Sequence, residues 1–458
     1  MPLTARSPLA ARIALLVALD LACLFAAAFA ARYWAPPPVS LAAFAAAIGV
    51  VAIGVALVLQ MTGAYDLDTI GSGPKTCASL LSSIAIGFAA TLAVWVFAPS
   101  LLSGSKDSLL CAAALFLPLL LLERKAFRSL SKRVRMRIVL VGASDFAFAL
   151  ARCIERRSDL GLEIVGMLCA DGEDRSSAEV YEIPILGPLD HVEKVIGDDL
   201  ADWVVVASQQ RNEPLPADQL LSLKLHGVPI FSGLSLYEGI SGEVYHRGLR
   251  WSALVFDERL TTSALERSIK RAFDVVFASL ALLFSTPILI AAAIAIRLDS
   301  KGPVFFRQTR VGRFHEPFAI VKLRTMVDDA ETFTGAVFAS RDDPRITRVG
   351  RILRRTHIDE LPQFWNVLKG EMSVVGPRPE RPELLDEISE RFPYFRVRSV
   401  YKPGVTGWAQ VRHGYVDEID GFEKKLALDL YYMRNWCLGL DLSIVWTTVR
   451  TMLAQRGV

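Results

Sequence analysis

The chain has 458 residues, 52% apolar and 22% charged, with 51 Lys and Arg against 48 Asp and Glu and a net charge of +3. So even a balance argues against nucleic acid as the main partner. Charge-free blocks fill the first third and the charge gathers after Glu123, which excludes a single soluble globule and a disordered chain.

The opening third reads as membrane helices. A span needs about 20 mainly apolar residues. Ile13–Ala31, Leu41–Leu59 and Ala78–Pro99 meet that length, and Ser108–Leu122 is a shorter fourth, interrupted by Pro118. Several apolar blocks in succession argue against a cleaved leader. Asp20 interrupts the first block. It is either a functional intramembrane acid or a side chain turned into the bundle to meet a neighbouring helix. Arg6 and Arg12 precede the first block, and Arg124, Lys125, Arg128, Lys132, Arg133, Arg135 and Arg137 follow the fourth. Basic flanks face the cytosol, so both ends of a four-helix bundle over 1–134 are expected there. Six cysteines (Cys23, Cys77, Cys111, Cys153, Cys169 and Cys437) form no Cys-x-x-Cys pair. They read as small buried residues, with no disulfide framework.

From 135 to 255 strands alternate with helices. Arg137–Gly142, Leu162–Leu168, Asp202–Ala207 and Val228–Phe231 are strand candidates, and Asp145–Arg156 has helical period. That alternation predicts a parallel, doubly wound, Rossmann-like sheet. The turn after the first strand reads Gly142-Ala-Ser-Asp-Phe-Ala147, so two glycines of the dinucleotide fingerprint are missing. A structural or regulatory role is expected.

Val275–Ile296 is again long enough to span. Thr286-Pro287 lies at its centre, and proline removes a helical donor and predicts a sharp kink. Both flanks are basic, with Arg267, Lys270 and Arg271 before it and Arg297, Lys301, Arg307, Arg310 and Arg313 after it. A crossing helix cannot keep both flanks inside, whereas one that enters, bends and returns can. A re-entrant helix over 270–298 is therefore expected, with an ordinary kinked span as the plainer reading.

Arg345, Arg348, Arg351, Arg354 and Arg355 then precede Thr356-His-Ile-Asp359-Glu360-Leu-Pro362-Gln363. Phosphate chemistry needs both signs: cations for phosphate oxygens, carboxylates to hold Mg²⁺ or to attack phosphorus. A helix is expected from Asp359 or Glu360 to Lys369-Gly370, with the acids at its phosphate-binding N-terminus or merely capping it. Gly376-Pro-Arg378-Pro379-Glu380 offers an arginine from a rigid loop, and Tyr401-Lys-Pro-Gly404-Val-Thr-Gly407-Trp408 is a second rigid loop. Gly421–Met433 reads as an amphipathic helix carrying Asp429, while Trp436 and Ile444–Val449 suit either the membrane interface or a core.

These pieces resemble the bacterial sugar transferase family, the monotopic phosphoglycosyl transferases. The matches are Lys270-Arg271-x-x-Asp274, the break at Thr286-Pro287, Phe306-Arg-Gln308, Lys322-x-Arg324-Thr-Met326, Asp359-Glu-Leu-Pro-Gln363, Asn366-Val-Leu-Lys-Gly370-x-Met-Ser373, Gly376-Pro-Arg-Pro379 and Lys402-Pro-Gly-x-Thr-Gly-Trp408. The whole chain is similar to the large members, and the resemblance implies a mostly α monotopic catalytic domain over 262–458. It implies transfer of a hexose 1-phosphate, glucose 1-phosphate by family frequency, from a UDP-sugar to undecaprenyl phosphate with release of UMP. Such transfer begins exopolysaccharide, capsule or O-antigen assembly at the cytosolic face of the bacterial inner membrane. By the same resemblance Asp359 is the nucleophile that becomes covalently phosphosugar-bearing. Mg²⁺ is held by Glu360 and Asp359 with Asp429 as a further contact. Lys322, Arg324, Arg378 and Pro379 belong to substrate binding, and Lys270, Arg271 and Asp274 meet the lipid phosphate. The family's Ser-Pro break is Thr-Pro here, which keeps the hydroxyl. Membrane lipid is an expected partner, as is a second copy of the chain. A nucleotide-sugar dehydratase would need Tyr-x-x-x-Lys, which is missing here. A non-catalytic organiser of polysaccharide assembly would have no use for the intact Asp359-Glu360 pair, and an ordinary glycosyltransferase would release UDP rather than UMP.

Overall fold

The computed structural model describes residues 8–34, 55, 58–59, 115, 118–126, 135–157, 160–170, 183–198, 200–207, 215–247, 251–327, 343–413 and 421–453. The chain divides into two compact units, Met1–Tyr245 and His246–Val458.

In the first unit, helix α1 (Pro8–Trp34) covers the first expected span. The spans at Leu41–Leu59 and Ala78–Pro99 lie outside the described residues apart from isolated positions, and of the fourth, residues 115 and 118–122 are described, with helix running over 118–126. Asp20 is buried and meets a neighbouring helix: Arg124 Nη2 lies 2.7 Å from its carboxylate. A carboxylate on an apolar helix is tolerable only when paired in this way.

The α/β part is a five-stranded sheet in the order β3-β2-β1-β4-β5, with every pair parallel. Its strands are β1 (Met136–Val141), β2 (Leu162–Cys169), β3 (Ile185–Pro188), β4 (Trp203–Val206) and β5 (Ile230–Ser232). Helices α2 (Asp145–Glu155), α3 (Val192–Gly197) and α4 (Ala217–Leu225) lie between strands, and α5 (Gly233–Ser241) follows β5. Alternation sends Ile138 and Leu140 into one core with Phe146 and Leu150, and Val139 and Val141 into the other with Val192 and Leu220. Burial on both faces explains why β1 reads as an unbroken apolar run. Ser144 links the C-terminal ends of β1 and β4, the switch point at which doubly wound sheets bind ligands. Its hydroxyl accepts from Ala147 N at 3.3 Å and donates to Ala207 O at 3.0 Å. Edge strand β3 has no counterpart in the sequence reading, since Ile185–Pro188 carries both a glycine and a proline.

The second unit opens with a five-residue helix, α6 (Trp251–Val255), and then α7 (Ala264–Asp299). A capping box starts α7: Ser263 N donates to the Glu266 carboxylate and Glu266 N donates to Ser263 Oγ. Among the described residues, helix at Glu258–Asp299 is alone in being long and apolar enough to cross a membrane, and only 17% of its most apolar stretch is buried. The secondary structure continues through Pro287 without interruption, where the sequence suggests a sharp break. Thr286 Oγ1 donates to Leu282 O at 2.7 Å, back-bonding that bends helices without ending them.

A hairpin follows, β6 (Phe305–Val311) antiparallel to β7 (Pro317–Leu323), and then α8 (Arg348–Thr356) and α9 (Gln363–Lys369). Strands β8 (Ser373–Val375) and β9 (Gly404–Thr406) form a parallel pair. Helices α10 (Pro382–Arg391), α11 (Trp408–His413), α12 (Gly421–Arg434) and α13 (Leu438–Leu453) complete the unit. The rigid loops seen in sequence turn out to lie backbone against backbone. Gly376 N donates to Thr406 O and Gly404 N to Pro377 O, each at 2.9 Å. A Cβ on Gly404 would stand 2.1 Å from Gly376 N. Gly404→Ala should therefore cost about 1–3 kcal/mol of stability, because backbone cannot give way as a side chain can. Thermal unfolding of the purified protein checks this.

Candidate active site

The site begins with a change of direction. His357 ends α8 in the left-handed region at φ 55°, and Ile358–Glu360 form a single 3-10 turn. Pro362 has no N–H, and α9 starts only at Gln363. Asp359 and Glu360 thus precede α9 by a turn, where the sequence suggests the α-helix N-terminus itself. The C-terminal end falls where expected, with Gly370 at φ 88°.

Asn366 fixes α9 against β7. Its side-chain oxygen accepts from Val321 N at 3.1 Å and its amide donates to Ala319 O at 2.8 Å. That register brings Lys322 Nζ to 2.6 Å from Glu360 Oε1. Arg378 Nη2 donates to the same oxygen at 3.1 Å. No hydrogen-bond donor among the described residues reaches the Asp359 carboxylate, although it is only 8% exposed. Adjacent acids therefore have opposite electrostatics. Burial pushes the Asp359 carboxyl up to about 6, with the Glu360 charge adding to it against Lys322, Arg354 and Arg378. Burial also acts on Glu360, but the Arg378 guanidinium and Lys322 ammonium outweigh it and hold that carboxyl well below the usual range. One acid is a fixed anion that holds two cations, and its neighbour is a desolvated carboxylate with nothing bonded to it.

Two arginines belong here that were read only as parts of basic runs. Arg354 donates to Thr325 Oγ1 at 2.9 Å and favours the ionised form of Asp359. Its helix can reach that strand end because Gly350 packs on Thr325, where a Cβ would stand 2.0 Å from the carbonyl oxygen. Arg310 donates to Gln308 Oε1 at 2.7 Å and to Pro379 O at 3.3 Å, and burial with the Arg378 charge lowers its guanidinium to about 10. The signal for both was their spacing from the motifs, which reveals nothing about which face they occupy.

Other expected site residues are engaged elsewhere. Arg324 lies just beyond β7 and turns to the end of α7, donating to Ser300 O and Ser300 Oγ at 2.9 Å. It belongs to the packing of a helix end, because the strand that would align it with Lys322 stops at Leu323. Asp429 is paired with Arg398, Nη2 to Oδ2 2.7 Å, and is buried in α12. Lys270 Nζ donates to Asp441 Oδ2 at 2.7 Å. Arg271 donates to Val367 O and Leu368 O, each at 2.7 Å. Asp274 accepts from Ser373 Oγ at 2.9 Å and Val374 N at 3.0 Å. A lipid phosphate at any of these three would compete with bonds that fasten α7 to the catalytic body. Pro379 lies in the Arg378 loop and lines a shallow cleft with Tyr401 and Pro403.

No group of three metal-ligating side chains occurs among the described residues. Two adjacent carboxylates, one without a hydrogen bond, suit a hard cation that completes its shell with substrate phosphates. Asp429, paired to Arg398, does not fit that set.

Asp359 should titrate near pH 6 rather than near 4. Lys322→Met removes a cation that favours its ionised form, so the midpoint should move further up. Carbon-detected NMR of labelled aspartate checks both the value and the direction.

Comparison with known proteins agrees with this geometry. Residues 265–455 match the family described as bacterial sugar transferase. A UDP-N-acetylgalactosamine-undecaprenyl-phosphate N-acetylgalactosaminephosphotransferase of Aeromonas hydrophila is 40% identical over 230 residues, 50% of this chain and 53% of that protein. An undecaprenyl-phosphate glucose phosphotransferase of Komagataeibacter xylinus is 34% identical over 339 residues, 72% of this chain and 61% of that protein. A UDP-glucose:undecaprenyl-phosphate glucose-1-phosphate transferase of Klebsiella pneumoniae is 31% identical over 322 residues, 69% of this chain and 67% of that protein. Against the first two the chain spans about half to three fifths of the relative's length. With the two acids, their cations and the rigid arginine loop all inside the matched region, the chain belongs to the bacterial sugar transferase family.

Proposed function

We propose that this protein transfers a hexose 1-phosphate, glucose 1-phosphate in the first instance, from a UDP-sugar to undecaprenyl phosphate and releases UMP. The observation that carries the reading is the buried, unbonded Asp359 carboxylate beside a Glu360 clamped by Lys322 and Arg378. A desolvated carboxylate without donors is a better nucleophile than a hydrogen-bonded one. In the first step an Asp359 oxygen bonds to the sugar-bearing phosphorus, the bond to the bridging oxygen breaks, and UMP leaves with that oxygen. In the second, a phosphate oxygen of undecaprenyl phosphate bonds to the same phosphorus and the Asp359 ester bond breaks, restoring the carboxylate. Arg378 and Lys322 face the negative charge that the phosphoryl group carries throughout. Asp359 and Glu360 are the residues that would hold Mg²⁺, which supplies charge neutralisation for the phosphates when bound. The names of two relatives favour glucose, and that of a third favours an N-acetyl sugar.

The acceptor's location follows from α7. If straight, a helix from Arg271 to Asp299 measures about 42 Å at 1.5 Å per residue, more than a bilayer's apolar core. Yet Arg271 bonds α9, Asn366 bonds α9 to β7, and Arg324 just beyond β7 bonds Ser300. Both ends of α7 are tied to one body, which supports a helix that dips into the cytosolic leaflet and returns at Thr286-Pro287. Four N-terminal spans, a second copy of the chain and an inner-membrane location complete the proposal.

Purified protein in lipid, given Mg²⁺ and undecaprenyl phosphate, should release UMP from one of UDP-glucose, UDP-galactose or UDP-N-acetyl sugars. EDTA should stop release and added Mg²⁺ restore it. Asp359→Asn should abolish it, and without acceptor the wild-type Asp359 peptide should gain the mass of a sugar phosphate. UDP in place of UMP would refute the mechanism. Arg378→Ala should lower kcat by about 10²-fold, as removal of one preorganised donor does elsewhere. Cysteines placed beyond Ile296 should resist impermeant reagent outside intact cells; labelling there means a crossing helix.

A further inference from the structure

Arg378 is useful only if its loop holds still, and the structure gives a donor to each of the four carbonyls from Pro377 to Glu380. Pro377 O accepts from Gly404 N at 2.9 Å, and Arg378 O from Arg398 Nη2 at 3.0 Å. Pro379 O accepts from Arg310 Nη1 at 3.3 Å, and Glu380 O from Val311 N at 2.9 Å. Gly312 N donates across the hairpin to Glu316 O at 2.9 Å, so by antiparallel alternation the Val311 N–H faces outward and is left for the loop.

Arg398 binds both the loop backbone and the buried charges beneath it. Its Nη1 donates to the Glu380 carboxylate at 2.9 Å, and its Nη2 lies 2.7 Å from Asp429 Oδ2. Lys425 donates to the same Glu380 oxygen. Phe395 and Phe422, 5.7 Å apart edge to face, stack against these cations. All four charged groups are buried, two of each sign, on three separate elements. Such a network gains little over an apolar core, because desolvation offsets most of its attraction. What an apolar core cannot do is grip a main-chain oxygen in a fixed direction.

We propose that Arg398, anchored by Asp429 and by a Glu380 that Lys425 also holds, is a positioning residue that orients Arg378 toward Glu360 and the donor phosphates. This rests on the transfer reading above, and it gives Asp429 a task other than metal binding.

The test uses the full chain in lipid. Arg398→Lys keeps the buried charge but cannot fork to Glu380, Asp429 and Arg378 O together. Asp429→Asn is the second variant, milder because it preserves shape. Amide exchange at Gly404 and Val311, whose N–H groups bind loop carbonyls, reads loop release without any need for activity. It should quicken in both variants while the helical core stays protected. In parallel kcat/KM for the UDP-sugar should fall about tenfold in Arg398→Lys, the size of one charge-assisted bond. That loss should shrink to under about twofold in an Arg378→Ala background, since the two residues then share one effect. Unchanged exchange overturns the proposal. So does an equal loss in both backgrounds, which marks a general loss of folded enzyme. If the wild type releases no UMP from any donor, the transfer reading falls and exchange alone decides the loop: faster upholds its anchoring, unchanged refutes it.

Discussion

A helix too long for a bilayer's apolar core has both its ends tied to one folded body. Arg271 and Asp274 hold its beginning to α9 and β8, while Arg324 and Val349 N hold its end. The middle stays exposed and apolar, with Leu283 and Phe284 among its most open residues. Everything else in the second unit is arranged relative to this constraint. The segment between the two fastenings carries Asp359 and Glu360, and Ile358 just before them packs with Ala292 and Ile296 of that helix. Phe277 meets Phe364 at 6.0 Å on the half of the helix before Pro287, and Leu289 packs near Leu353 and Ile358 on the half after it.

Electrostatics then divides one dipeptide into two roles. Glu360 and Asp359 differ by a methylene and one position, but Lys322 and Arg378 both reach Glu360. The choice depends on the register of β7 against α9, which Asn366 sets with its amide. Burial without donors makes Asp359 reluctant to ionise, and burial with two cations makes Glu360 ionise readily. Both states come from a common desolvated site, in which Lys322 and Arg378 converge on one Glu360 oxygen.

Much of this was legible in the chain itself. Strands of the α/β unit are short apolar runs ending at turn residues, and β1, β2, β4 and β5 lie where those runs are. The glycines of the two rigid loops announce themselves by position, though only the fold reveals that they exist to let Gly376 and Gly404 touch. Asp20 on an apolar helix demands a partner, and Arg124 is that partner, 104 residues away. Edge strand β3 was hidden because its glycine and proline imitate a loop. The start of α9 was misplaced because acids preceding proline look the same whether they open an α-helix or a 3-10 turn.

Residue types, their local spacing and their solvent preference are properties of the sequence, and they determined most of the elements, the long apolar helix around Pro287 and the acid pair beside arginines. Which cation meets which acid is a property of distance across the fold. Arg324 and Lys322 are two residues apart, yet one holds a helix end and the other Glu360, because the strand stops between them. Asp429 reads in sequence as a further contact for the metal and becomes half of a buried pair only when α12 is laid against Arg398. Only the tertiary structure could decide these pairings, since charge attraction falls with separation in space and is blind to separation along the chain.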